Sequence, residues 1–377
     1  MTATEAPPIT LRSCADLIAS VPYLLGFHPA ESIVVIAIVD DRVRFVVRGD
    51  LPGGVSPDRV AQRLVSLLLR DPVDAIAIVG YGSSTSVTPV AEAVCAALRS
   101  TDITTLDVLR VDGGRYWSYV CSDATCCPPE GKPFDLTTTC VGAAAVYAGR
   151  VALPDREAVA ASIAPIDEPA RTAMTEATTR ADARLTALVD EARASADTGS
   201  SQLRSTARHA AGAVVRANAR VAKALRAAGN EAVDDAVDRY RAGRRLTDDE
   251  VAWLSVLLVH LPVRDHAWEH TTDDDWQVDL WSDIVRRVDS PLAAAPASLL
   301  AYAAWRAGHG ALATIAVERA LAVDPDYALA RMVDEILDQG LPPSIMVDAA
   351  DQPHRAPTRR GRRRRWIGPH FGLEQAS

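Results

Sequence analysis

Two β-branched runs, Ile33–Val39 and Val43–Arg48, meet at Asp40-Asp41-Arg42, and this juxtaposition commits the N-terminal part of the chain to a sheet. β-Branched side chains suit a pleated, half-buried surface, and short acidic residues tolerate a tight reversal, so the segment reads as a hairpin. Helix signals alternate with further strands. Ser13 can cap a short helix, and a second turn runs from Pro22 to a stop at Gly26. Ser56-Pro57 starts a helix whose apolar face is Val60, Leu64, Leu67 and Leu68. Ala75–Tyr81 is a strand, and Thr88-Pro89 repeats the start signal ahead of Val90, Val94 and Leu98. Leu106–Val111 and Tyr116–Val120 flank Asp112-Gly113-Gly114 as a second hairpin, and Val141–Ala148 is a helix. This order implies an α/β domain over residues 1–150, a mixed sheet with packed helices and at least one parallel crossover.

The pattern then changes. Residues 151–245 are Ala-rich with few aromatics and read as a helical spacer or hairpin arm, because no seam holds a heptad for three repeats. Residues 246–345 read as an all-α helical domain. Thr247 and Glu250 have the spacing of a capping box, and Val251, Leu254, Leu257, Leu258 and Leu261 make one buried face. Helices are expected near 276–288 and 297–307. A further pair, with a Gly308–Gly310 turn and Asp324-Pro325, is tetratricopeptide-like, but one unit forms no solenoid, so a compact bundle is expected. Residues 346–377 read as a basic, disordered tail.

Charge bounds the partners. The net charge is −9, and all but two of the 40 basic residues are Arg, which weakens any single Arg run as a sign of function. Residues 351–377 nevertheless carry seven Arg against Asp351 and Glu374, a net +5 on a body of −14. Such a body repels nucleic acid, so a weak polyanion contact would fall to Arg359, Arg360, Arg362, Arg363, Arg364 and Arg365, with a merely solvated tail the equal alternative. The longest apolar run of the N-terminal third is Ile33–Val39, far below the roughly 20 residues a membrane helix needs. No basic segment precedes an apolar one, so a cytoplasmic protein with six free thiols is expected.

Four groups are candidates for a site. Cys121, Cys126 and Cys127 crowd one loop. Paired Cys-x-x-Cys spacing is missing and adjacent cysteines are expected to diverge, so packing is favoured over a redox pair, and a redox pair over a metal. His28, in a turn ahead of a strand, and Ser32 beside it lack an orienting acid and an oxyanion hole, so a structural His is favoured over a general base. Gly82 and Ser83, at the end of a strand, could cradle an anion, although a plain turn is favoured because the motif is partial. Arg115 and Trp117 share a strand face that either stacks on a ligand or is buried, with burial favoured. His266 and His270 have zincin spacing, but Ala267 stands where a zincin has Glu, so no metal set is expected.

Four stretches together carry a resemblance: PYLLGFHP from Pro22 with Glu31-Ser32, RVDGGRYWSYVCSDATCCPPEGKPF from Arg110, AVYAGR from Ala145, and AYAAWRAGHGALATIAVERALAVDPDYALA from Ala301. The chain resembles the actinobacterial family known as domain of unknown function 4192 over most of residues 10–345. The resemblance implies a lineage and an architecture, and the family has no assigned activity to carry over. Because no complete catalytic constellation can be assembled from the candidate residues, the expected function is a non-catalytic ligand- or partner-binding protein with no cofactor. The sheet would hold a small polar ligand near His28, Gly82 and Arg115, and the helical domain would contact protein. The alternative is an enzyme or redox protein using His28 or a thiol of the cysteine loop.

Overall fold

The computed structural model describes residues 11, 13–51, 53–54, 56–70, 72–136, 139–147, 150–197 and 207–343; the six tail arginines lie outside them. The first helix, α1 (Cys14–Leu25), is capped by Ser13, whose Oγ accepts the Asp16 N–H at 3.1 Å. It runs unbroken through Pro22 to Gly26, at φ 83°. Pro22 falls in the last turn, so the missing N–H forgoes one backbone bond near the helix end and no break follows.

The hairpin forms as expected between β1 (Ser32–Val39) and β2 (Arg42–Asp50). Asp40 and Asp41 take φ 49° and 58°, the mirror-image turn whose twist suits paired strands. β3 (Ala75–Tyr81) pairs antiparallel with the other edge of β1, and α3 (Ser84–Leu98) carries the chain to β4 (Thr104–Asp112), parallel to β3. Gly113 and Gly114, both at positive φ, turn into β5 (Arg115–Ser118), and β6 (Lys132–Pro133) completes the order β2-β1-β3-β4-β5-β6. The N-terminal part is thus a mixed sheet with packed helices.

Both faces of the central strands are covered, which explains unbroken apolar runs in place of an alternating pattern. Ile33, Val35, Ile76 and Ile78 pack beneath α2 (Pro57–Leu68) and α3, while Val34, Ile36, Val79 and Leu109 pack against α1. Each such aliphatic side chain contributes about 1.5–3 kcal/mol of transfer free energy.

Two helix starts differ from expectation. α3 begins four residues before Thr88-Pro89, because Ser83 already supplies a cap: its Oγ accepts the Ser86 N–H at 3.3 Å. Pro89 therefore lies inside the helix. Leu261, placed on the buried face of one long helix, is 54% exposed. α8 (Asp248–Leu257) stops short of it, and Pro262, within the first turn, opens a separate α9 (Leu261–Glu269). The capping box forms as expected, with Thr247 Oγ1 accepting the Glu250 N–H and Glu250 Oε2 accepting the Thr247 N–H at 2.8 Å.

The Ala-rich region is a hairpin arm of α6 (Ala170–Asp197) and α7 (Ala207–Arg241). Its helices touch each other and, near the base, α8, α9 and α10 (Asp275–Arg287). The fully buried side chains Met174, Ala177 and Ala181 of α6, and Val233, Ala236 and Tyr240 of α7, all lie at that base. α11 (Ala294–Arg306), α12 (Gly310–Val323) and α13 (Ala328–Asp338) then form a bundle. No helix among the described residues is long and apolar enough to cross a membrane.

Candidate functional site

The loop from β5 to β6 brings three thiols together. The Sγ atoms of Cys121, Cys126 and Cys127 all lie within 4.8 Å of one another. The expected divergence of the two adjacent cysteines does not occur, and the backbone explains why. Side chains alternate by about 180° only in extended chain. Here the N–H groups of Cys126 and Cys127 both donate to Asp123 O, at 3.1 and 2.7 Å, making one helical turn in which neighbours are about 100° apart. Asp123 Oδ1 fixes the start of that turn by accepting the Thr125 N–H at 2.8 Å. Cys121 is held separately, its N–H donating to Ser118 Oγ at 3.1 Å, and Ser118 in turn donates to Asp107 Oδ1 at 2.8 Å.

Arg115 and Trp117 serve this loop. Arg115 Nη1 donates to Gly131 O at 2.7 Å, and Trp117 Nε1 donates to Pro129 O at 3.0 Å. Gly131 sits at φ 81°, and a Cβ there would lie 2.4 Å from Trp117 Cε2, so only glycine lets the loop close on the indole. Arg110, 9% exposed, stacks its guanidinium 3.5 Å from the Trp117 ring centroid and bonds Asp112 at 3.2 Å. The β-hairpin register pairs Arg110 with Trp117 directly, a signal available from the Gly113-Gly114 turn alone.

The thiols' surroundings act on their protons. The Cys127 thiol is pushed up to about 12, first by its hydrogen bond with Cys121, then by burial and by a bond with Cys126. Cys14, the first residue of α1, is pushed up to about 11 by burial and then by the bond it donates to Asp107 Oδ2 at 3.2 Å; Cys126 adds a smaller repulsion. Burial raises the Tyr116 hydroxyl to about 12, and it also feels Cys14, Cys127, Cys126 and Asp107. These groups therefore share one neighbourhood.

The other candidates do not join them. His28 is exposed; its N–H donates to Leu153 O at 2.9 Å, and its ring has no side-chain partner among the described residues. Ser32 is fully buried on the α1 face of β1, opposite Tyr81 on β3, and neither hydroxyl has a partner there. Gly82, at φ 143°, has its Cβ direction closed by Leu51 and by the Glu31 carboxylate, 3.2 Å from where a Cβ would stand. An acidic side chain thus already lies beside Gly82, one residue before the Ser83 cap of α3. His266 and His270 stack at 4.2 Å between ring centroids, with His266 Nε2 bonded to Asp234 Oδ1 at 2.8 Å and His270 Nδ1 to His266 O at 2.7 Å.

A cavity of about 400 Å³ lies elsewhere, where the Gly26 turn and the segment near Leu153 face α5 (Arg156–Ser162), α10 and the start of α12. Its apolar wall includes Leu25, Leu153, Val159, Val278 and Leu312, and its polar groups include Ser162, Asp279, Ser282, Arg286 and His309. Asp283 at its edge is saturated by Tyr240 Oη at 2.6 Å, Arg245 at 3.1 Å and Arg287 at 2.9 Å. His309 Nε2 bonds Asp275 Oδ1 at 2.7 Å. The Arg286 guanidinium and the Asp279 carboxylate have no side-chain partner among the described residues. Sequence reasoning missed this site because its walls come from six separate segments with no local motif.

Neither a curated protein nor a solved structure matches the chain. The family described as domain of unknown function (DUF4192) matches residues 15–344, which take in the sheet, the thiol loop, the hairpin arm and the helical bundle, and the chain belongs to that family.

Proposed function

We propose that the protein is a non-catalytic binding protein whose ligand is a small molecule with one anionic group on an apolar body, held in the cavity between the Gly26 turn and α10. The Arg286 guanidinium, without a side-chain partner among the described residues and set beside the apolar wall of Leu25, Leu153, Val159, Val278 and Leu312, carries this reading. A volume of about 400 Å³ falls within the usual range for small-molecule sites, which are mostly apolar with a few placed polar groups. A guanidinium matches a carboxylate or phosphate in charge and in its planar array of donors. The polar ligand expected near His28, Gly82 and Arg115 has less support, because these three residues serve Leu153, the α3 start and the thiol loop respectively. Catalysis at His28 lacks an orienting carboxylate among the described residues. Six unbridged cysteines support a reducing, cytoplasmic setting.

Thermal-shift and calorimetric titrations of the full chain test this with phenylacetate against phenylacetamide and phenyl phosphate against phenol. The acidic member of each pair is expected to raise the melting temperature. Arg286→Gln, an exposed change, is expected to weaken binding about 10–100-fold, as loss of a charge-assisted hydrogen bond does. Equal binding of acidic and neutral probes, or equal affinity in Arg286→Gln, would sink the proposal.

A further inference from the structure

We propose that Cys121, Cys126 and Cys127 form a three-thiolate site for one zinc-class divalent ion, with the fourth tetrahedral position left open. A tetrahedral zinc ion bound at about 2.3 Å holds its sulfurs about 3.8 Å apart. The three sulfurs already lie within 4.8 Å, so rotation about side-chain bonds can close the site without moving the backbone.

The backbone is fixed by bonds that use none of the sulfurs. Asp123 O holds the turn of Cys126 and Cys127, Ser118 Oγ holds Cys121, and Arg115 and Trp117 tie down the Pro129–Gly131 end. A loop built this way confines three groups that repel once ionised, and a dication turns that repulsion into attraction while their protons leave to solvent. Ser118 and Asp107 behind Cys121 supply the outer hydrogen bonds that orient a ligating residue.

Three other features of the cluster bear on its chemistry. Three convergent sulfurs exceed what a disulfide needs. Cys126 is exposed, which gives an ion an entry path. Cys14 is engaged with Asp107 and stands outside the group of three, so it is a neighbour and not a ligand.

The experiment uses the full chain made without a His tag, freed of metal under reductant and titrated with cobalt and then zinc. One equivalent of cobalt is expected to give tetrahedral ligand-field bands and thiolate-to-metal charge transfer, and zinc should displace it. Bound zinc should protect three of the six cysteines from a thiol reagent. Cys126→Ser is expected to lose at least about 100-fold in zinc affinity, more than loss of an outer-shell group causes. Cys140→Ser and Cys14→Ser should bind as the wild type does, and melting of each metal-free variant checks that it folds. Absence of charge transfer in the wild type, or unchanged affinity in Cys126→Ser, overturns the site. A charge-transfer band that falls by about a quarter in Cys14→Ser makes Cys14 a fourth ligand and overturns the open position. A mass lower by two hydrogens in air, with no metal bound, puts a disulfide in place of the ion.

Discussion

Replacing Gly131 with alanine isolates how much the thiol loop depends on its contact with Trp117. Two costs combine. At φ 81° a Cβ costs about 1–2 kcal/mol through the left-handed backbone. That Cβ would also stand 2.4 Å from Trp117 Cε2 and 2.6 Å from Cζ2, so the ring must shift by about 1 Å to reach ordinary contact. The indole is pinned from two sides, by its bond to Pro129 O at 3.0 Å and by Arg110 stacked at 3.5 Å. Loss of that hydrogen bond costs about 0.5–1.5 kcal/mol and loss of the stacking about 0.5–2 kcal/mol. The second part alone therefore amounts to about 1–3 kcal/mol. Gly113→Ala is the matched control, because Gly113 also has positive φ, 53°, but meets nothing within 4 Å of its added Cβ. Hydrogen exchange at the Cys127 and Gly131 amides, with urea unfolding followed by near-ultraviolet circular dichroism, measures both variants. Gly131→Ala should be destabilised by about 1–3 kcal/mol more than Gly113→Ala and should lose protection in the loop. Equal effects in the two variants would refute a steric role for Trp117 and leave only the backbone term.

Other substitutions probe the helical region. Asp283→Asn removes a carboxylate that is 10% exposed at its side chain and bonded to Arg245, Arg287 and Tyr240, so urea unfolding should show a loss of about 3–5 kcal/mol. Gly229→Ala gains about 1 kcal/mol of helix propensity, but its Cβ would stand 2.2 Å from Val263 Cγ2; net destabilisation of about 1–2 kcal/mol is expected, and the double variant with Val263→Ala should recover most of it. His260 has a buried Nε2 without a partner, and burial, then the charge of Arg226, lowers its pKa below 6.5. The folded state therefore holds fewer protons, so this contribution is complete above about pH 6.5 and is lost as pH falls through the folded value. Melting temperature against pH should fall less on the acid side in His260→Leu than in the wild type; parallel profiles would remove His260 as a cause.

Much of the sheet was legible because turn chemistry is local. Asp40-Asp41 and Gly113-Gly114 stand where two consecutive residues need positive φ, and the strands on either side follow from them. Ser13, Ser56 and Thr247 announce helix starts for the same reason, since each cap bonds an N–H two or three residues on. Ser83 was masked by Thr88-Pro89, an equally good start placed five residues later; the Ser83 cap starts the helix first and places Val87 against Gly80. The thiol cluster was visible as composition and not as geometry, because its convergence depends on whether residues 123–127 are extended or helical. The cavity offered no local signal at all: Leu25, Leu153, Asp279 and Arg286 become neighbours only after the Gly26 turn pairs with Leu153 and α10 packs beneath them.

The arm of α6 and α7 has a mechanical consequence. At 28 and 35 residues, its helices are about 42 and 52 Å long, yet no residue from Asp182 to Ser195 in α6 or from Ala217 to Ala228 in α7 is fully buried. Each helix is thus one continuous rod whose base shares the stability of the bundle while its outer stretch rests on half-buried side chains such as Leu185, Leu188, Val221 and Leu225. Opening should start outward and stop at Ala181 and Gly229, so a pull or a competing surface acting on the outer stretch could separate the rods without disturbing the base.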